Sequence, residues 1–384
     1  MKKLLQLFSY ILVAALASAT TLAVTYEEVP LHKAKLDQLE ALIQERFIGE
    51  SDPVAMADGA AAGMIASLGD RWSYYLPAEE YAAYKERMAN AYVGVGITIQ
   101  LTQDDSGFLI IKVSQGGPAE EAGLLAGDIL VGAEGQNVVG WSSDEVATLV
   151  KGEEGTYVQL TVLRGGEEIT FSVERRTVLV PVAEGKLLDG HVGYVKINNF
   201  DTRCTEDTVA VIESLLEQGA DVLLLDVRNN PGGYAKELVK VLDYLLPEGE
   251  VFRTVNYAGK EEVDMSDANF LDVPMAVLVN GNTYSAAEFF AAALREYEAA
   301  FIVGQPTVGK SYFQRTWELQ DGSAAGISEG KYFTPKGVSL AEVGGIVPDI
   351  TVDVTNEEAL GIYAGTLDPM EDPQIQAAIA ALAE

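Results

Sequence analysis

Residues 275–279 read Met-Ala-Val-Leu-Val, an unbroken apolar run between Pro274 and Asn280-Gly281. A run this short and this apolar predicts a buried strand, which the rest of the chain must cover with other elements. The strand feeds Asn280-Gly281-Asn282-Thr283-Tyr284 and then Ser285, and the residues from Ala286 to Leu294 are mostly strong helix formers. Ser285 therefore stands at a strand-to-helix turn, next to the free N–H groups of a helix N-terminus. Taken locally, the plainest role is a helix cap, since serine is among the favoured capping residues. The same place also suits a nucleophile beside an oxyanion site.

The segments around this run alternate. Val192 to Ile197 reads as a strand, Thr205 to Gln218 as a helix closed by Gly219, and Val222 to Leu225 as a buried strand. Asp226-Val227-Arg228-Asn229-Asn230-Pro231-Gly232-Gly233 then turns into a helix over Ala235 to Leu245, and Phe301 to Val303 forms a further strand before Gly309-Lys310. Strands alternating with helices predict an α/β core over residues 177–354. Upstream, Leu36, Leu39, Ile43 and Phe47 recur at helical spacing. Val54 to Leu68 and Glu79 to Met88 continue a helical region over residues 30–90 whose expected role is packing.

Residues 91–176 change character, with short β-rich runs separated by glycine-containing turns. Ser142 and Glu145 stand at capping-box spacing and announce one helix there. The segment resembles a PDZ domain through three stretches: Val93-Gly94-Val95-Gly96-Ile97, Gly117 to Leu124, and Gly127-Asp128-Ile129-Leu130. A glycine-rich turn with exposed N–H groups before an edge strand suits the terminal carboxylate of a peptide that adds as a further strand. Val93, Gly94, Val95, Gly96 and Ile97 are accordingly the candidate substrate-binding residues.

Composition narrows the partners. A formal charge of −32 argues against nucleic acid and anionic membrane surfaces. One cysteine and two histidines leave neither an internal disulfide nor a cysteine-rich zinc site, so no metal is expected. Lys2 and Lys3 precede the uncharged stretch Leu4 to Val24, with a small-residue cleavage site at Ala17-Ser18-Ala19. Residues 1–24 thus read as an export signal or a retained membrane anchor. Either places the remainder outside the cytoplasm, secreted or anchored in the cell envelope. The acidic tail, residues 355–384, carries a helix over Gln374 to Leu382 that serves either packing or association, which leaves a homo-oligomer open.

Taken together, Leu225 to Gly233, Ser285-Ala286-Ala287-Glu288, Gly309-Lys310 with Gln314, Tyr332-Phe333-Thr334-Pro335 and Gly345 to Asp349 resemble the carboxyl-terminal processing peptidase family of serine proteases. The likeness runs from about residue 30 to 353. It implies a crotonase-like protease core with an inserted PDZ domain and an N-terminal helical region, acting on protein or peptide substrates with free C-termini and needing no cofactor. By position it implies Ser285 as nucleophile, Lys310 as general base and Gln314 as the residue that orients the lysine. The N–H groups of Gly232 and Ala286 would form the oxyanion hole. A lysine serves as base only if its pKa falls from about 10.4 towards 7, a shift that burial can supply; Val308, Tyr312 and Phe313 are the apolar neighbours the sequence offers. His191 precedes a strand and is expected at the surface, so a Ser-His-Asp triad is the less simple proposal. The chain departs from the family pattern at Ala287, at Val308-Gly309-Lys310-Ser311 and at Tyr284, which bears on the shape of the substrate site.

Two other readings compete. Gly304 to Ser311 matches the phosphate-binding loop G-x-x-x-x-G-K-S, which requires a helix after Ser311. The aromatic stretch Tyr312 to Leu319 before Asp321-Gly322 predicts a strand and hairpin turn instead. A non-catalytic PDZ adaptor would need the Ser-Lys pair disabled, and Ser285, Lys310 and Gln314 are all present.

Overall fold

The computed structural model describes residues 31–383; the export or anchor segment read at residues 1–24 lies outside them. Among the described residues no helix is long and apolar enough to cross a membrane. The chain divides into two units, Met1–Gly69 and Asp70–Glu384. The first contains helices α1 (Leu31–Arg46) and α2 (Pro53–Ala66). The Asp52 side chain caps α2 by accepting from the Val54 N–H, and Pro53 takes the first-turn position where a missing N–H costs nothing.

In the second unit, strand β1 (Tyr74–Leu76) and helix α3 (Ala78–Met88) come first. Strand β2 (Ala91–Gly94) then leads into a six-stranded domain made of β3 (Ile97–Leu101), β4 (Phe108–Val113), α4 (Pro118–Ala122), β5 (Ile129–Ala133), β6 (Gln136–Asn137), α5 (Ser143–Val150), β7 (Tyr157–Arg164) and β8 (Glu167–Glu174). The sheet order is β3-β4-β5-β7-β8, with β6 on β5, so β3 is an edge strand. Along β7, Val158, Leu160 and Val162 point into the domain core with Phe108, Ile110 and Val146, while Tyr157 and Gln159 face out. The capping box of Ser142 and Glu145 starts α5 as expected. Strand β9 (Arg176–Leu179) pairs antiparallel with β2, so the chain enters and leaves this domain side by side.

The core sheet runs β10 (Ala183–Leu188), β11 (Val192–Ile197), β12 (Val222–Asp226), β15 (Met275–Val279), β16 (Ala300–Gly304) and β19 (Ile350–Thr351), parallel except at β10. Helices α6 (Cys204–Glu217), α7 (Ala235–Leu245) and α8 (Ala286–Glu296) supply the crossovers. All of β15 and Ala286 to Leu294 of α8 are buried, because the sheet is covered on both faces and α8 packs between it and the residues Phe252 and Tyr332, with α7 beside it. On the opposite face Leu224, Ala276, Leu278 and Val303 pack against Ile375 and Ala378. The helix expected near the C-terminus is therefore a cover of the core.

A second sheet pairs β18 (Ala324–Phe333) with β17 (Tyr312–Glu318) on one edge and with β13 (Gly249–Asn256) and β1 on the other, β13 also pairing with β14 (Glu261–Ser266). The chain after Ser311 is thus strand β17, with no helix to hold a phosphate, and Asp321-Gly322 turns the hairpin. Helices α9 (Leu340–Val343), α10 (Asn356–Ala364) and α11 (Pro373–Leu382) complete the unit.

Candidate active site

The loops at the C-terminal ends of β12 and β15 are bound to each other. The Asn229 N–H donates to Asn280 Oδ1 at 3.0 Å and the Thr283 hydroxyl to the Val227 carbonyl at 2.8 Å. Behind the first loop, Arg228 is buried between Asp226 and Asp372, at 2.7 Å from each. Burial works against the Asp226 charge, but the adjacent guanidinium outweighs it and holds that carboxyl below the usual range. A charge cluster this enclosed fixes the loop that carries Gly232.

Ser285 sits at the helix start with φ 60° and ψ −131°, a combination an L-residue adopts only at a cost and that clusters at functional sites. It is buried at 7 % exposure. A Cβ on Gly232 would fall 2.8 Å from Ser285 Cβ and 2.9 Å from the Ala286 nitrogen, so the glycine lets the two loops meet. The Ala286 N–H is a first-turn donor with no intrahelical acceptor. The Gly232 N–H donates to Asn230 Oδ1 at 2.8 Å.

Glu288, one turn into α8, ties the constellation together. It is fully buried, and its carboxylate accepts from the Ser285 N–H (3.0 Å), the Lys310 N–H (2.8 Å), the Gly309 N–H (2.7 Å) and the Thr307 hydroxyl (2.5 Å). Burial pushes its pKa up, against those four donors. Lys310 lies on the same side. Burial depresses its pKa to about 8, Arg71 adding to the fall while Asp70 and Glu288 oppose it. Its ammonium lies 4.7 Å from the Trp72 ring centre and 5.8 Å from that of Tyr284. Of the residues expected from sequence as its apolar neighbours, Phe313 stacks on Tyr332, Lys331 lies over Tyr312, and the Val308 N–H donates to the Thr283 carbonyl. The Gln314 amide donates to the Tyr312 carbonyl and the Ser328 hydroxyl. Beside Gly233, Asp201 is 5 % exposed with Oδ1 unpartnered, and burial raises its pKa to about 7 against the pull of Arg87.

His191 is exposed in the turn before β11. In the smaller domain, Gly96 takes φ +79° and Ile97 opens edge strand β3; the Val95 and Gly96 carbonyls accept from Ala119 and Ser114. Among the described residues no cluster of His, Cys, Asp and Glu could hold a metal ion.

The Peptidase family S41 profile matches residues 191–352 and a PDZ domain profile matches residues 95–174. The carboxy-terminal processing protease CtpA of Bacillus subtilis (strain 168) is 31 % identical over 368 residues, covering 92 % of this chain and 78 % of its own. The chain belongs to peptidase family S41. It is a carboxy-terminal processing protease of the serine type with a PDZ domain. A CtpA-like protein of Staphylococcus aureus (strain COL) is likewise 31 % identical, over 86 % of this chain and 67 % of its own. An S41-family crystal structure from Bacteroides fragilis NCTC 9343 shares the fold at TM-score 0.53 and 18 % identity, over 87 % of this chain and 90 % of that one.

Sequence reasoning had no role for Glu288, Trp72, or the Asp226, Arg228 and Asp372 cluster. The first carried a signal, the Ser-x-x-Glu spacing of a capping box at the head of α8. Trp72 carried none, since nothing local says which way an isolated aromatic in a loop will point.

Proposed function

We propose that this S41 protease cleaves by acyl transfer with Ser285 as nucleophile and Lys310 as general base. The observation that carries the reading is the Glu288 carboxylate, which binds the backbone N–H of both residues and so holds two distant stretches of chain in one place. Neutral Lys310 takes the proton of the Ser285 hydroxyl as the oxygen attacks the scissile carbonyl. The Ala286 N–H, joined by that of Gly232 once it leaves Asn230, stabilises the tetrahedral oxyanion, and water then releases the acyl-enzyme. Gln314, on β17 four residues beyond Lys310 and fixed by Ser328, orients the lysine.

The PDZ domain selects substrates by their free C-terminal carboxylate, held at Val93 to Ile97 while the peptide pairs with edge strand β3. Export or anchoring through residues 1–24 places the enzyme in the cell envelope or outside it. The test is cleavage of an unfolded protein by the chain from residue 25 onward, beside Ser285→Ala and Lys310→Ala, with the substrate presented with a free or an amidated C-terminus. Loss of cleavage in both variants and weaker cleavage of the amidated substrate are expected. Retained cleavage in either variant overturns the Ser-Lys assignment, and indifference to amidation overturns the PDZ assignment.

A further inference from the structure

Lys310 is flanked by two aromatic rings that come from distant stretches of the second unit. Tyr284 immediately precedes Ser285, and Trp72 lies in the loop that opens the unit. The two rings stack with centroids 6.2 Å apart and planes at 25°, and the ammonium lies over both. Trp72 is held in place by its backbone. The Asp70 carboxylate accepts from the N–H groups of Trp72 and Ser73, each at 3.1 Å, and from the Ser73 hydroxyl at 2.6 Å. The Ser73 hydroxyl in turn accepts from the Ser328 N–H, at the residue whose hydroxyl receives Gln314. The Arg71 guanidinium covers Trp72 at 4.2 Å.

We infer that Trp72 and Tyr284 are positioning residues for the general base: together they exclude water from the Lys310 ammonium and aim it, and Tyr284 makes that wall part of the same peptide as the nucleophile. This rests on the Ser-Lys reading above. The rings act on the lysine in two opposed ways. Their faces attract a cation and so favour the charged form, while their bulk strips its water and favours the neutral form. The charged groups facing it are Asp70 and Glu288, which favour the ammonium, and Arg71, which disfavours it. The net displacement is towards the neutral amine, so exclusion of water is the stronger effect. Tyr284, a departure from the family pattern, thereby gains a role: it places on the nucleophile's own loop a surface that keeps the base dry.

The two effects separate by substitution. In a Ser285→Ala background, with lysine 13C-labelled at Cε, the Lys310 titration midpoint is read directly by NMR, its signal assigned through Lys310→Arg. Trp72→Ala and Tyr284→Ala admit water and are expected to raise the midpoint by at least one pH unit. Trp72→Leu and Tyr284→Leu keep the site dry but remove the π faces, and are expected to leave the midpoint where it is or lower it. In the Ser285 enzymes the acid limb of kcat/KM moves with the midpoint. An unmoved midpoint in the alanine variants, or a leucine variant that raises it, overturns the inference. Should an alanine variant fail to fold, the leucine pair decides alone. The titration does not depend on cleavage, so retained cleavage by Lys310→Arg with a shifted midpoint in the alanine variants would reject the Ser-Lys reading and leave the aromatic wall standing.

Discussion

The PDZ domain and the candidate site of the peptidase core treat charge in opposite ways. In the PDZ domain the displaced acids move down: serine hydroxyl and backbone donors hold Asp104 and Glu145 low, and Arg164 does the same for Asp128. Around the candidate site, Lys310, Glu288 and Asp201 are each driven by burial towards their neutral forms, while Asp226 behind the loop keeps its charge beside Arg228. The architectures account for the difference. The PDZ sheet buries alternate residues and leaves the others in water, as β7 does, whereas β15 is buried at every position. Asp128, though buried, keeps its charge because Arg164 pairs with it, whereas the proposed use of Lys310 as a base needs its water removed.

The sharpest test of this contrast is Lys310→Met. It should lower cleavage by at least about a thousandfold, as loss of a group essential to chemistry does. The same change should stabilise the fold. The folded-state pKa lies below the unfolded one, so the native state holds the proton less tightly and is penalised at every pH below about 8. That penalty fades as pH rises from about 8 to 10.5, and removing it is worth roughly 3 kcal/mol at pH 7. Thermal unfolding at pH 7 and pH 10 checks the sign, with the variant's advantage shrinking at the higher pH.

Glu288→Gln comes next. A side-chain amide brings its own N–H groups against backbone donors that now point at oxygen, so about 1–3 kcal/mol of stability is lost for each donor left unpaired. Cleavage should fall by about a hundredfold with KM little changed, because the proposed nucleophile and base lose register; kcat and KM measured separately distinguish this from a loss of binding.

Asp201→Asn sharpens the contrast from the other side. The folded-state pKa of about 7 lies above the ordinary 3.8, so wild-type stability is full below pH 4 and declines as pH rises towards 7. The asparagine variant should be flatter across that window and more stable at pH 7, by on the order of 2–4 kcal/mol. Denaturant unfolding at pH 4.5 and pH 7.5 reads the difference.

The smallest effect is expected in the PDZ domain. Gly96→Val forces a side chain onto a backbone at φ +79° and should raise KM for substrates with free C-termini by about tenfold, leaving kcat and cleavage of amidated substrates unchanged. A fall in kcat instead would mean that the two regions are more tightly coupled than this contrast allows.

Much of this could be read from the sequence where one local pattern decides the outcome. The apolar runs of β11, β12 and β15 and the helix over Ala235 to Leu245 were legible because a buried parallel strand or an amphipathic helix writes its burial into its own residues. Strand β14 was not, and β18 was announced only by the hairpin turn at Asp321-Gly322 and not by its own residues. Glu-Glu-Val-Asp-Met-Ser and Ala-Ala-Gly-Ile-Ser-Glu-Gly-Lys-Tyr-Phe look like loop, and their pairing is set by distant partners. The candidate site divides likewise. Ser285 and Lys310 stand in ordered motifs, whereas the spacing of Glu288 announces only a capping box and not its bonds to Thr307, Gly309 and Lys310. Trp72 meets Lys310 only through tertiary packing, which no local pattern announces.

The β2 and β9 ribbon sets how the PDZ domain relates to the chain that carries it. Ala91 pairs with Leu179 and Gly94 with Arg176, so everything between them hangs from one hydrogen-bonded stem, like a cassette spliced in at a single point. Such a cassette can be lengthened, exchanged or cut out by closing the stem with a tight turn, and the order of the flanking core elements is untouched. The stem also limits how the cassette moves. Because two paired strands resist sliding past one another, a swing of the domain must pass through them as torsion, and Gly94 is at once the last rung of that stem and the second residue of the loop proposed to grip the substrate's end.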